Sequence, residues 1–186
     1  MNITEQKRVS NAAKAKSAAD KHFPNEKWIE LEANIYLSPR RPIGAKSNFK
    51  YEKQDAIILK SYGSTVYLAP ELRHSPEKKF DAIVDGLEVE FKNIGGNAST
   101  LQTQFINSRK QAQNVFINLE TSNLTKSEVI TALFGARNNP RYERKNKFEG
   151  GLVILKLNAD EKLIFINVDD LHIQKRNKKN RSRGGR

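Results

Sequence analysis

The segment KKFDAIVDGLEVEFK, residues 78–92, decides how the chain is read. It consists of two short apolar runs joined by Asp85-Gly86, a dipeptide that favours a two-residue hairpin turn because both of its positions accept positive φ. Strands are expected at about 80–84 and 87–92. Residues two apart on a strand share a face, so Ile83, Leu87, Val89 and Phe91 are available for packing while Glu88, Glu90 and Lys92 line the other side. If Asp81 sits at the end of the first strand, its carboxylate can approach that of Glu90. Two close carboxylates repel unless a proton or cation lies between them. A hard divalent cation such as Mg²⁺ or Mn²⁺ meets that need and can also engage a phosphate oxygen. Lys92 could then orient or deprotonate a bound water and offset charge on the phosphate. The same alternation also suits a solvated hairpin face carrying surface ion pairs, and Glu-x-Lys is a common tripeptide.

Outward from the hairpin, the pattern alternates between helix and strand. Thr4 to about Asp20 is alanine-rich and reads as a helix with a weak apolar stripe of Val9, Ala12, Ala13 and Ala19, suited to loose docking or a partner. WIELEANIYL alternates as a strand, with Ile29, Leu31, Ala33, Ile35 and Leu37 on one side. A helix follows at about 48–62, with Phe49, Ala56 and Leu59 inward and Gly63 as its stop, and then a short strand in STVYLAPE. After the glycine-rich NIGGN loop, Ser99 or Thr100 is expected to cap a helix from Leu101 to about Asn114. VFINLE reads as a buried strand. Thr125 and Glu128 have capping-box spacing for a helix at 126–136, and GLVILKLNADEKLIFINV reads as a hairpin turning at 158–160. An α/β fold with a mixed central sheet flanked by helices follows. The expected organisation is an extension over 1–47, a core over 48–171 and a basic tail over 172–186 without stable structure when free.

Charge points to a polyanionic partner. The 186 residues hold 33 Lys+Arg against 21 Asp+Glu, a formal net charge of +12, which favours nucleic acid or an anionic surface, although a solvated lysine surface has the same composition. Cysteine is absent, which excludes disulfides, thiolate catalysis and cysteine-ligated zinc. No apolar run reaches the length of a membrane span, and the N-terminus lacks the apolar core of a signal peptide, so a cytoplasmic site of action is expected. His22, His74 and His172 show no metal-ligand spacing.

The residues Asp81, Glu90, Phe91 and Lys92 resemble the PD-(D/E)-x-K nuclease superfamily, with Phe80 standing where that pattern has proline. Over roughly 48–120, the run LAPELRHSPEKKFDAIVDGLEVEFKNIGGNASTLQTQFINSRKQAQNVFINLE is similar to the C-terminal nuclease domains of contact-dependent growth inhibition toxins, and looks closest to the tRNA-directed ones. The resemblance implies a restriction-endonuclease-like core, Asp81 and Glu90 as metal ligands and Lys92 as the catalytic lysine. It also implies a glutamate on the helix before the sheet: Glu52 fits, and Glu71 is its rival, either of them equally at home as an ordinary surface carboxylate. Gln104 and Arg109 are implied near the phosphate from the following helix.

Basic clusters could grip the phosphate backbone without reading sequence. They comprise Arg40, Arg41 and Lys46; Arg137, Arg141, Arg144, Lys145 and Lys147; and the tail from Lys175. Tyr142 could stack on a base. The reading that emerges is a metal-dependent endonuclease acting on tRNA or other RNA. The alternatives are a DNA endonuclease of the same fold and a nucleic-acid-binding protein without catalysis. If the protein is a toxin, an acidic immunity partner is expected.

Overall fold

The computed structural model describes residues 3–44, 48–71, 80–145, 148–158 and 162–171. The chain divides into two compact units, Met1–Phe91 and Lys92–Arg186. The division falls inside a strand, within the span expected to be one core. Each unit is α/β, with mixed strands flanked by helices. Strand order follows chain order, β1-β2-β3-β4-β5 in the first unit and β6-β7-β8 in the second.

In the first unit, α1 (Ile3–His22) precedes β1 (Ile29–Glu32) and β2 (Ile35–Leu37). The segment expected to be one strand is thus a hairpin. Asn34 adopts φ 67°, a left-handed conformation that asparagine tolerates, and the chain reverses there. This breaks the expected alternation: Ile35 and Leu37 are buried, whereas Ile29 is exposed. β2 pairs in parallel with β3 (Val66–Leu68), with α2 (Phe49–Ser61) as the crossover. β3 then pairs antiparallel with β4 (Ala82–Val84), and β4 with β5 (Leu87–Asn93). α1 belongs to this body. It packs on β3 and β4 through Ala15 and Ala19, both fully buried, while Val9, expected on its inner stripe, is exposed. Small residues on that face let the helix approach closely: a Cβ at Gly86 would lie 3.4 Å from Lys14.

In the second unit, α3 (Ala98–Ser108), α4 (Lys126–Arg137) and the short α5 (Pro140–Lys145) accompany β6 (Asn114–Leu119), β7 (Leu152–Leu157) and β8 (Ile164–Asn167). β6 and β7 are parallel, and β7 and β8 antiparallel. Every residue of β6 is buried, as Val115, Phe116, Ile117 and Leu119 favour, with Asn114 and Asn118 buried among them. Leu101, Phe105, Ile117, Leu133 and Leu155 centre the core. The helix expected from Leu101 begins three residues earlier, because the cap is Asn97, whose side chain accepts from the Thr100 N–H at 3.1 Å. Thr125 and Glu128 form the expected capping box. Among the described residues, no helix is long and apolar enough to cross a membrane. His74, His172 and the basic tail lie outside the described residues.

Candidate active site

The hairpin forms as its turn chemistry requires. Asp85 and Gly86 have φ 51° and 93°, the two positive values of a type I′ turn. Asp85 Oδ1 also accepts the Thr65 N–H at 2.8 Å, which ties the turn to the start of β3. The register pairs Ala82 with Val89, and the Asp81 N–H, one residue before β4, also donates to the Val89 carbonyl at 3.1 Å, so Asp81 meets β5 where the regular ladder ends. Its Oδ2 accepts the Phe91 N–H at 2.9 Å, which fixes the carboxylate against the β5 backbone beside Glu90. Glu90 is 3% exposed. Lys92, two residues further along the same strand, is half-buried and follows it on that face. The face expected to be open to solvent is therefore largely enclosed at Glu90. Leu87, expected to pack, is exposed instead at the turn end.

Glu52 arrives from the first turn of α2 and meets Arg41. Arg41 Nη2 lies 2.6 Å and Nε 2.8 Å from Glu52 Oε2. The same Nη2 is 3.5 Å from Asp81 Oδ1. Nη1 donates to the carbonyls of Ala69 and, at 3.3 Å, Asp81. Arg41, read from sequence as a phosphate contact, is 8% exposed and instead joins two of the expected catalytic carboxylates. Burial pushes the Glu52 carboxyl above its usual 4.5, against the downward pull of the Arg41 charge and hydrogen bond, and the charges of Asp81 and Glu71 add to the rise. Glu71 is exposed beyond the end of β3, close enough for its charge to be felt at Glu52.

The donor chemistry here (carboxylates and backbone carbonyls) suits a hard divalent cation. Among the described residues, no three His, Asp or Glu side chains come together in an arrangement that could hold a metal. Arg41 supplies the positive charge between Glu52 and Asp81.

The residues expected to contact nucleic acid divide sharply. Arg109, at the end of α3, is fully buried and Tyr142 is 1% exposed. Arg109 Nε donates to Tyr142 Oη at 3.0 Å, and its Nη2 to the carbonyls of Phe148 and Gly150, at 3.1 and 2.5 Å. Tyr142 stacks on Phe105 at 5.7 Å, and the Arg137 guanidinium lies 4.9 Å from its ring centre. Arg109 and Tyr142, expected to meet a phosphate and a base, are held instead in the interior of the second unit. Gln104 is half-buried on α3, and Arg141 and Arg144 are exposed on α5. The side chain of Lys145 and all of Lys46 and Lys147 lie outside the described residues. Arg40 pairs with Glu26.

No protein-family model and no curated protein matches the chain. A solved structure does: a chain of the CdiA-CT/CdiI toxin and immunity complex from Burkholderia pseudomallei is similar over 70% of this chain and 97% of its own length, with a TM-score of 0.51 and 22% identity. At that identity the likeness speaks for the fold.

Proposed function

We propose that the protein is a metal-dependent endonuclease with a restriction-endonuclease-like core, a toxin domain acting on tRNA or other RNA in preference to DNA and countered by an immunity protein. The observation that carries this reading is the bond from the Phe91 N–H to Asp81 Oδ2. It holds the Asp81 carboxylate against the β5 backbone at the residue between Glu90 and Lys92, which supports reading the three as a PD-(D/E)-x-K constellation. The likeness to a chain from a toxin and immunity complex supports the biological setting, which implies action in the cytoplasm of a target cell.

Asp81 and Glu90, with Glu52 and Glu71 near, would hold Mg²⁺ or Mn²⁺. When bound, such an ion supplies Lewis acidity and a water of lowered pKa. Around it, Glu90 presents a carboxylate in an enclosed setting where electrostatic interactions are strong. Lys92 holds its ammonium where negative charge grows on the phosphate, and guides the water that attacks phosphorus. The exposed Arg141 and Arg144, with the basic tail, provide contacts to phosphates that hold the strand without reading its sequence.

The test is cleavage of total tRNA and of plasmid DNA in Mg²⁺, Mn²⁺ or EDTA, comparing wild type with Glu90→Ala and Lys92→Ala. The proposal expects metal-dependent RNA cleavage that both substitutions abolish. Full activity in both variants, or salt-dependent binding without cleavage in any metal, would sink it. Cleavage of DNA alone would overturn the substrate preference and leave the chemistry standing.

A further inference from the structure

Arg41 is engaged through all three guanidinium nitrogens. Nε and Nη2 meet Glu52 Oε2, Nη2 also faces Asp81 Oδ1, and Nη1 faces the carbonyls of Ala69 and Asp81. Four oxygens from three separate segments therefore converge on one cation. Two are carboxylate oxygens and two are carbonyls, which is the donor set that a hard divalent ion prefers. The cation they receive is a side chain of the protein itself.

Charge balance makes this arrangement replaceable. One guanidinium faces two carboxylates, and the Glu71 charge reaches the same place, so a single positive charge leaves the cluster negative. A divalent ion would neutralise it more fully. Arg41 is carried on the segment between β2 and α2 rather than on a strand or helix. Its own N–H donates to the Ser38 carbonyl in a local turn at 3.0 Å, so its backbone is held by a turn rather than by a ladder. Displacing the side chain would break no bond of the sheet ladder.

We propose that Arg41 is a built-in competitor for the divalent ion: it caps Glu52 and Asp81 when no metal is bound and is displaced when metal enters, which sets the metal concentration at which the site fills. The inference rests on the metal-dependent reading above and adds a regulatory residue to it. In this role Arg41 keeps two neighbouring carboxylates compatible with a folded, metal-free protein, and it weakens metal binding by the repulsion that any incoming cation must overcome. The liberated guanidinium is then free to meet the phosphate that accompanies the metal.

The experiment measures Mn²⁺ binding by calorimetry to the full chain, in wild type, Arg41→Gln, and the double variant Arg41→Gln with Glu52→Gln, which removes the uncompensated charge if the single variant folds poorly. It also follows the side-chain Nε–H signal of Arg41 by NMR in wild type during titration with Mg²⁺. Arg41→Gln is expected to bind Mn²⁺ about tenfold tighter or more, since a full positive charge is removed within a few ångströms of the ion. The double variant is expected to bind more weakly than the single one. In the wild type, the Arg41 Nε–H should be protected from exchange in EDTA and lose that protection as Mg²⁺ saturates. Equal or weaker Mn²⁺ affinity in Arg41→Gln, or an Arg41 signal unmoved at saturating Mg²⁺, would show a permanent clamp and overturn the inference while leaving a metal-dependent nuclease intact. Failure of wild type and variants alike to bind Mn²⁺ would overturn the underlying reading as well.

Discussion

His22 Nε2 lies 3.0 Å from Glu88 Oε1, joining the last turn of α1 to the outer face of β5. The imidazole also meets the Phe80 ring edge-on, at 5.3 Å between centroids. Glu88 shares a strand face with Glu90 and Lys92, yet the Glu-x-Lys pattern gives it no role. Its partner supplies one: it helps to seat the helix that covers the hairpin.

Glu88 and Glu90, two residues apart, should therefore respond oppositely to substitution. The His22–Glu88 pair is about one-third exposed on each side, so after solvent screening Glu88→Gln should cost no more than about 0.5 kcal/mol and leave cleavage intact. Glu90→Gln should keep the fold and abolish cleavage. Urea unfolding beside a cleavage assay on both variants checks the pair. Loss of activity in Glu88→Gln with stability unchanged would place Glu88 in the chemistry instead.

The arginines of the second unit should separate in the same way. Arg109→Met strands the Tyr142 hydroxyl and the carbonyls of Phe148 and Gly150 inside the protein, which should cost about 3–5 kcal/mol. Arg141→Ala and Arg144→Ala, both on exposed positions, should change stability by less than about 0.5 kcal/mol. Each should instead lower the slope of log affinity for RNA against log salt by about one. Denaturation curves and salt-dependent filter binding distinguish the two classes.

Gly151 should tolerate no side chain. It adopts φ 103°, and a Cβ there would stand 2.1 Å from the Gln113 carbonyl oxygen and 2.6 Å from Arg109 Nη1. Gly151→Ala should destabilise the protein by about 2–3 kcal/mol through backbone strain and displacement of the buried arginine. A Cβ at Gly44 meets nothing within 4 Å, so Gly44→Ala should be close to neutral. Melting temperatures of the two variants test the contrast, and equal values would contradict it.

What could be read from the sequence was local. Asp85-Gly86 dictates its turn through backbone φ, Thr125 and Glu128 sit three apart in the first turn of a helix, and Glu90 and Lys92 share a face because a strand has period two. Each signal lies within a few residues of its effect. Arg41 is 40 residues from Asp81, and no spacing rule links an arginine in a proline-flanked loop to a carboxylate that far along the chain. The burial of Arg109 and Tyr142 was hidden for a related reason. Tyr142 reads as surface because it lies amid basic residues, and Arg109 is placed near the phosphate only by resemblance, but their 33-residue separation is closed by a buried hydrogen bond, and only packing reveals it. The WIELEANIYL segment misled because its alternation continues through Asn34, whose left-handed backbone folds the strand back on itself.

The capping box on α4 makes a pH prediction whose sign is fixed by geometry. Glu128 Oε2 accepts from the Thr125 N–H at 2.8 Å and from its hydroxyl at 2.7 Å. These bonds, the backbone one foremost, hold the Glu128 carboxyl below its usual 4.5. Hydrogen bonds to the charged form favour ionisation, so the folded protein releases this proton more readily than the unfolded chain does. The resulting stabilisation is fully present above the unfolded value near 4.5 and is lost as pH falls through the depressed folded value. Thr125→Val removes the hydroxyl and keeps the backbone donor. Its Glu128 should titrate part of the way back toward 4.5, and its stability should depend less steeply on pH below that point. Carbon-detected NMR titration of the Glu128 carboxyl, with urea midpoints across the acid range, measures both. Identical titration curves for wild type and Thr125→Val would show that the hydroxyl bond does nothing to hold the Glu128 carboxyl down.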